Sequence, residues 1–258
     1  MRHLEHVMGT VVTIDIHTGE DMPGYRTHSR LGQARAILQH ADTVFSTWKQ
    51  NSPISRLRRG EITLEQAPSE VAEVLECCAR AREISDGWFD PWAMPGGIDP
   101  TGYVKGWAAQ CALSALVSSG IRGAMVNAAG DIASFGGMEH AQPFRIGIVN
   151  PSSPRQLACV VELSGAIATS GTYEREGHLV DPHSGQPIAR VASASVSGPD
   201  LGLADALATA VAVAGEAGLA FIERLEGYES LVIRFDGTMR WTEHFPIASP
   251  TSETDRTT

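Results

Sequence analysis

Asp205-Ala206-Leu207-Ala208-Thr209 puts a carboxylate and a hydroxyl four residues apart. On a helix both oxygens leave the same face. Carboxylate, hydroxyl and backbone carbonyl are the ligands of a hard cation such as Mg2+, which keeps further positions for phosphate oxygens. Amphipathic helices also carry Asp and Thr at this spacing for no chemical reason, so the pair gains meaning only from its company. Three further polar clusters precede it. In Asp99-Pro100-Thr101-Gly102-Tyr103-Val104-Lys105-Gly106, Gly102 allows close backbone approach to a ligand and Lys105 offers a point charge for phosphate. Asn127-Ala128-Ala129-Gly130-Asp131 follows an apolar run and reads either as a plain turn or as a crevice lined by N–H groups. The third runs from Ala168-Thr169-Ser170-Gly171 to His178-Leu179-Val180-Asp181-Pro182. His178 is its candidate proton acceptor, imidazole being the commonest base for a hydroxyl nucleophile; His183 lies beyond the Asp-Pro turn. No Gly-x-Gly-x-x-Gly follows a strand and no Walker-type phosphate loop is present.

The elements that must position these groups follow from periodicity. Val11 to Ile16 alternate as an opening strand, and a helix is expected from Ser29 to about Phe45. A second helix runs from about Ser69 to Ser85 and ends at Asp86-Gly87; a third runs from about Tyr103 to Ser119. Between them, Trp88 to Gly102 is loop. Short strands are expected at 124–127, 144–149, 159–163, 166–168 and 192–197. The helix carrying Asp205 and Thr209 starts near Gly202 and breaks at Gly215; helical pattern resumes over Leu219 to Leu225, and a hairpin closes around Asp236-Gly237. Helices and strands do not alternate one for one, which implies α+β with largely antiparallel sheet. Residues 1–247 are expected to form a single domain and 248–258 a loose polar tail.

With 258 residues, 43% of them hydrophobic and 19% charged, the chain has an ordinary globular balance. The net charge of −10 argues against nucleic-acid backbone as the main partner. Cys77, Cys78, Cys111 and Cys159 show no zinc spacing and no demand for an oxidising compartment. Met1 to Gly9 has no apolar signal core or lipid-attachment cysteine, and no apolar run is read as long enough to span a bilayer; the expectation is a soluble, cytoplasmic protein.

Taken in order, the clusters resemble the ApbE family, the FAD:protein FMN transferases, over nearly the whole chain. The resemblance begins at Met8-Gly9-Thr10, continues through Phe45-Ser46-Thr47-Trp48, Ser52-Pro53-Ile54-Ser55-Arg56-Leu57 and Gly87-Trp88-Phe89-Asp90-Pro91, and takes in all four polar clusters. Two departures stand out. The stretch between Pro91 and Asp99 is shorter than in typical members, and the family's Asn-Leu-Gly-Gly-Asp is Asn-Ala-Ala-Gly-Asp here. The usual export signal is also absent from the sequence as written.

The resemblance implies an ApbE-like, T-fold-related architecture and a Mg2+-dependent enzyme. FAD is the substrate, FMN passes to a threonine hydroxyl of a target protein, and AMP leaves. It implies Mg2+ ligands at Asp205, Thr209 and the Gly102 carbonyl, and a base at His178. Flavin and adenosine contacts are implied at Met8, Trp48, Trp88, Phe89, Asp90, Asp99, Lys105 and His178. Two other readings stay open: an FAD pyrophosphatase using water as the nucleophile, and a non-catalytic FAD-binding protein. The acceptor protein and the oligomeric state are not set by the sequence.

Overall fold

A computed structural model describes residues 1–20, 22–137, 142–172, 179–188 and 190–248. Its centre is a sheet of eight strands, every neighbouring pair antiparallel. In chain order these are β1 (Arg2–Val7), β2 (Thr10–Thr18), β3 (Ile121–Ala128), β4 (Asp131–Gly136), β7 (Ala166–Gly171), β8 (Ser193–Gly198), β9 (Glu229–Ile233) and β10 (Met239–Trp241), and spatial order follows chain order. Three excursions interrupt this meander. Between β2 and β3 come α1 (Gly24–Phe45), α2 (Pro53–Arg58), α3 (Ser69–Ile84) and α4 (Thr101–Leu116). Between β4 and β7 comes a separate hairpin, β5 (Phe144–Asn150) and β6 (Ser153–Leu163). Between β8 and β9 come α5 (Leu201–Ala214) and the short α6 (Leu219–Ile222).

Strand alternation sends side chains to two different layers. Ala124, Val126, Ala128, Ala133, Ala166, Ala168, Ala194 and Val196 face the helices. Small residues there let α4 pack on β3 and β4, and α5 on β7 and β8. The opposite parity, Ile132, Ile167, Leu231 and Ile233, packs under Phe144, Ile148, Val161 and Leu163 of the β5–β6 hairpin. The helices thus cover one face of the sheet and the hairpin covers part of the other.

α5 is the innermost helix. Asp200 caps it by accepting from the Leu203 N–H at 2.7 Å, and Gly215, at φ +72°, ends it. All but Leu203 and Thr209 of its residues are buried. Leu201 and Leu207 are fully enclosed, and each such side chain stabilises the fold by roughly 1.5–3 kcal/mol. Here one sequence expectation needs correction. Leu201–Ile222 is long and apolar enough, by length and composition, to cross a membrane. It reads that way because α5, which makes up most of it, is almost wholly enclosed and needs no polar face; 72% of the most apolar window is buried in the fold.

Other differences are local. α1 starts at Gly24, five residues before Ser29, because Pro23 supplies the helix entry. β1 and β4 were not anticipated, nor was α2, which Ser52 caps by accepting from the Ser55 N–H at 3.1 Å. α3 fills Ser69–Ile84 much as expected, though Arg82 points to the surface. All four cysteines are free thiols, and Cys77 and Cys78 both lie on α3.

Candidate functional site

Three connections meet at one end of the sheet. β1 turns into β2 through Met8 and Gly9, at φ +54° and +70°, and β3 turns into β4 through Ala129 and Gly130, at φ +53° and +100°. The registers Val12↔Ala128, Ile132↔Ile167 and Gly171↔Ser193 put both turns and the connection after β7 at the same end. Left-handed turns of two residues match the twist of an antiparallel pair, so their cost at non-glycine residues is offset by closure of the hairpins. The Asn127 side chain holds the second turn, its Oδ1 accepting from the Gly130 N–H at 2.8 Å.

At this end α5 brings its carboxylate and hydroxyl to α4. The Asp205 side chain is 3% exposed, and its Oδ2 accepts the Gly106 N–H at 3.1 Å. Gly106 has to be glycine, because a Cβ there would lie 2.4 Å from the Leu201 carbonyl oxygen and 3.0 Å from Asp205 Cβ. One helical turn on, Thr209 Oγ1 sits 3.2 Å from Ser170 Oγ of β7. The same hydroxyl lies 3.6 Å from where a Cβ on Gly102 would be, so the bare first turn of α4 is its neighbour. That first turn has no acidic residue, and Pro100, its capping position, makes no side-chain cap. An N-terminus of this kind favours anions.

Lys105, one position before Gly106, places Nζ 2.7 Å from Asp131 Oδ2 as an ion pair. Asp131 is fully buried; Oδ1 accepts the Thr169 N–H at 3.2 Å. Burial pushes the Asp131 carboxyl above its ordinary value, opposed first by the Lys105 charge and then by hydrogen bonds, including one with Asp205. Asp205, Thr209, Ser170, Gly102, Lys105 and Asp131 therefore form one contiguous group contributed by α4, α5, β4 and β7. Its donors near Thr209 are all oxygens, and among the described residues no three His, Cys, Asp or Glu form a self-sufficient metal cage. A site of this kind suits a hard cation that completes its shell with water or phosphate.

The sequence model of the ApbE family matches residues 8–96 and 93–232. The chain belongs to the ApbE family. Over 129 residues, 46% of its length, this ApbE protein is 36% identical to an FAD:protein FMN transferase of Rhodobacter capsulatus, of which the match spans 24%. Over 151 residues, 54% of its length, it is 28% identical to that of Salmonella typhimurium, with 43% of the relative covered. The matches thus span less than half the length of these curated relatives. The fold is that of the flavin transferase ApbE from Vibrio cholerae (TM-score 0.80, 22% identity, 94% of this chain and 96% of that one). It is equally that of the ApbE protein of Thermotoga maritima (TM-score 0.80, 22% identity, 95% and 97%).

The residues that the ApbE resemblance assigns to flavin and adenosine are spread around the same end. Met8 forms the β1–β2 turn and is partly buried against the core. The Phe89 ring is 5% exposed, and its Cε2 lies 3.3 Å from the Cβ position of Gly102. Trp88 meets the His183 ring edge-on at 4.5 Å, and Arg190 lies over its face at 4.9 Å. Asp181 gathers these partners: its Oδ1 accepts the His183 N–H at 2.9 Å, and Oδ2 lies 3.6 Å from Arg190. Asp90 pairs with Arg82 at 2.7 Å and accepts the Trp92 N–H. Asp99 accepts from the Thr101 backbone at 3.1 Å and its hydroxyl at 2.6 Å at the head of α4, and lies 3.6 Å from Arg58. Arg58 also donates to the Pro95 and Gly96 carbonyls, so the shortened 91–99 stretch is tied down rather than loose. Trp48 stands apart, 87% exposed after α1.

His178 and the Tyr173-Glu174-Arg175 run lie outside the described residues, as does the tail from 249. Sequence reasoning noticed the Asn127–Asp131 turn but gave Asp131 no role. Its partners, Lys105 and Thr169, are 26 and 38 residues away; the β4–β7 pairing brings Thr169 to it, and the packing of α4 on β4 brings Lys105. A cavity of about 350 Å³ lies on the opposite face of the sheet, between β5 and residues such as Met125, Ile132 and Ile167. Asn127, Gly130 and Thr169 also line it, but none of the residues that the resemblance assigns to metal, flavin or adenosine does.

Proposed function

We propose that this chain transfers FMN from FAD to a threonine hydroxyl of a protein acceptor and releases AMP. The observation that carries this reading is the meeting of Asp205 and Thr209 with the glycine-bearing first turn of α4 and with Lys105. A helix N-terminus, a lysine and an all-oxygen donor pair are together the apparatus for gripping a pyrophosphate. The relatives named FAD:protein FMN transferases support FAD as that pyrophosphate.

The donor set fits Mg2+: a buried carboxylate, a hydroxyl and a backbone turn, all oxygen donors of the kind a hard cation takes. Asp205, Thr209 and the Gly102 carbonyl would hold it. When bound, it supplies positive charge to pyrophosphate oxygens. The chain's own residues do the rest. Lys105 adds a second positive charge beside the leaving phosphate, and the positive end of the α4 dipole favours the same anion. Phe89 and Trp88 give an aromatic flank where flat rings of the substrate can pack. The acceptor oxygen bonds to the FMN-side phosphorus as the bridging P–O bond breaks. The hydroxyl proton passes to His178, the base implied by family resemblance, and AMP carries away the bridging oxygen.

The test is incubation of the protein with FAD, Mg2+ and a co-expressed candidate acceptor. The expected result is AMP in solution and an FMN-sized mass increase on an acceptor threonine. Asp205→Ala should abolish Mg2+-dependent AMP release while leaving a folded protein. Free FMN without an acceptor would convert the assignment to a hydrolase, and no AMP at all would leave only flavin binding.

A further inference from the structure

Asp131 is a fully buried carboxylate that the reaction above does not use. Its neighbours on the helix-facing side of β3 and β4 are Ala128 and Ala133, so an apolar residue would satisfy packing there. Burying a charge is expensive, and a buried ion pair is often no more stabilising than apolar residues of similar volume. Stability alone therefore does not explain an aspartate at this place. The geometry explains it differently. Oδ1 is fixed by the Thr169 N–H of β7, and Oδ2 faces Lys105 Nζ at 2.7 Å. The carboxyl is thus pinned by main chain through Oδ1 and meets the Lys105 ammonium through Oδ2, with the Asp205 carboxyl a further hydrogen-bond partner. The Lys105 side chain is 27% exposed, so the ammonium is held at the boundary between the core and the crevice.

We infer that Asp131 is a positioning residue for Lys105: anchored to β7, it fixes the ammonium beside Gly106 and Asp205, where the pyrophosphate is gripped. The inference rests on the reading of this site as a flavin-dinucleotide site. Lys105 is the residue just before Gly106, whose N–H holds Asp205. Thr169 is the residue just before Ser170, which touches Thr209. Asp131 therefore ties the lysine to the same two backbone segments that hold the carboxylate and the hydroxyl. An untethered lysine side chain samples many rotamers, and fixing it in advance removes that entropy cost from the reaction step.

Two measurements test this. The chain has only two lysines, Lys49 and Lys105, so a 15N-lysine spectrum shows two ammonium groups, assigned with Lys105→Met. In the wild-type protein the Lys105 ammonium protons are expected to exchange at least tenfold more slowly than those of Lys49, whose side chain is 51% exposed. Equal exchange rates overturn the inference. The second measurement is a kinetic cycle of AMP release at saturating Mg2+ for wild type, Asp131→Asn, Lys105→Met and the double variant, each checked by urea unfolding. Wild-type activity establishes the parent reading; without it that reading fails, and the spectrum alone decides the role of Asp131. Each single change is expected to lower kcat at least tenfold, and the double variant to fall within threefold of Lys105→Met. Effects that multiply, or an Asp131→Asn protein that loses stability while keeping wild-type kcat and KM, overturn the inference. If Asp131→Asn does not fold, the kinetic arm is decided by the double variant against Lys105→Met: rates within threefold support the inference, and a larger gap overturns it.

Discussion

Gly106→Ala is the most demanding test of how the site is built, because two opposite effects can be weighed. Alanine favours a helix interior over glycine by about 0.8–1 kcal/mol, so propensity alone predicts a more stable protein. The crossing with α5 predicts the reverse. The new methyl would lie 2.4 Å from the Leu201 carbonyl oxygen, whereas a carbon–oxygen contact settles near about 3.3 Å, so α5 must recede by roughly 0.9 Å. Overpacking of this kind costs about 1–3 kcal/mol. Retreat of α5 also stretches the 3.1 Å bond from the Gly106 N–H to Asp205, and hydrogen bonds to charged groups contribute about 1.5–3 kcal/mol. The net expectation is a loss of about 2–5 kcal/mol in urea unfolding. A displacement of about 1 Å in a positioning element costs on the order of 10²-fold in rate, so AMP release should fall by about that factor. Gly102→Ala is the control. Its methyl meets Phe89 at 3.3 Å and Thr209 at 3.6 Å, so stability should change by less than about 1 kcal/mol while the hydroxyl beside it is crowded. A Gly106→Ala protein as stable and as active as wild type would refute the account of the α4–α5 crossing.

Ala129→Gly relieves a left-handed residue, worth about 1–2 kcal/mol, and gives back about 0.4–1 kcal/mol in unfolded-chain entropy; calorimetry should show a rise in Tm of a few degrees. Glu5 is 7% exposed and bonded to Arg35, Gln39 and His3, and the Arg35 bond chiefly lowers its pKa to about 2. A depressed carboxylate contributes stability that is present above pH 4.5 and lost as pH falls toward 2. Because Arg35 is itself 42% exposed, the contribution is discounted to about 1–2 kcal/mol. Glu5→Gln should therefore lose about that amount at pH 7 and show a flatter acid limb in chemical denaturation. His178→Ala is expected to retain FAD binding by calorimetry and to slow transfer by about 10²–10⁴-fold; loss of folding instead would make that histidine structural.

The sequence was most legible where one local rule decides. α3 declares itself by Val71, Val74, Leu75 and Cys78 at helical spacing and by the Asp86-Gly87 stop, where both residues adopt positive φ. α5 was placed by Gly202 and Gly215. β1 was hidden because Arg2, His3, Glu5 and His6 look like surface chain; only the buried ion cluster around Glu5 turns that segment inward. β4 was hidden because Asp131 begins it, and a charge is not expected to start a central strand facing the core. The Asp205–Thr209 pair was readable from spacing, and the structure turns it toward Gly102 and Gly106. That Lys105 has a buried counter-ion was not readable, since the packing of α4 on β4 and not spacing brings Asp131 beneath it.

The enclosure of α5 has a consequence for how this protein can adapt. Its amides sit among alanines and valines with no solvent-facing stripe, so deuterium should enter them only when the whole molecule opens. A helix of that kind cannot be re-tuned for a new partner without endangering the fold. The freedom to change sequence lies instead in the exposed rim: the Met8–Gly9 and Ala129–Gly130 turns and the arginine-tethered stretch before Asp99. The buried helix and the exposed rim are thereby parts of the chain whose sequences can drift independently.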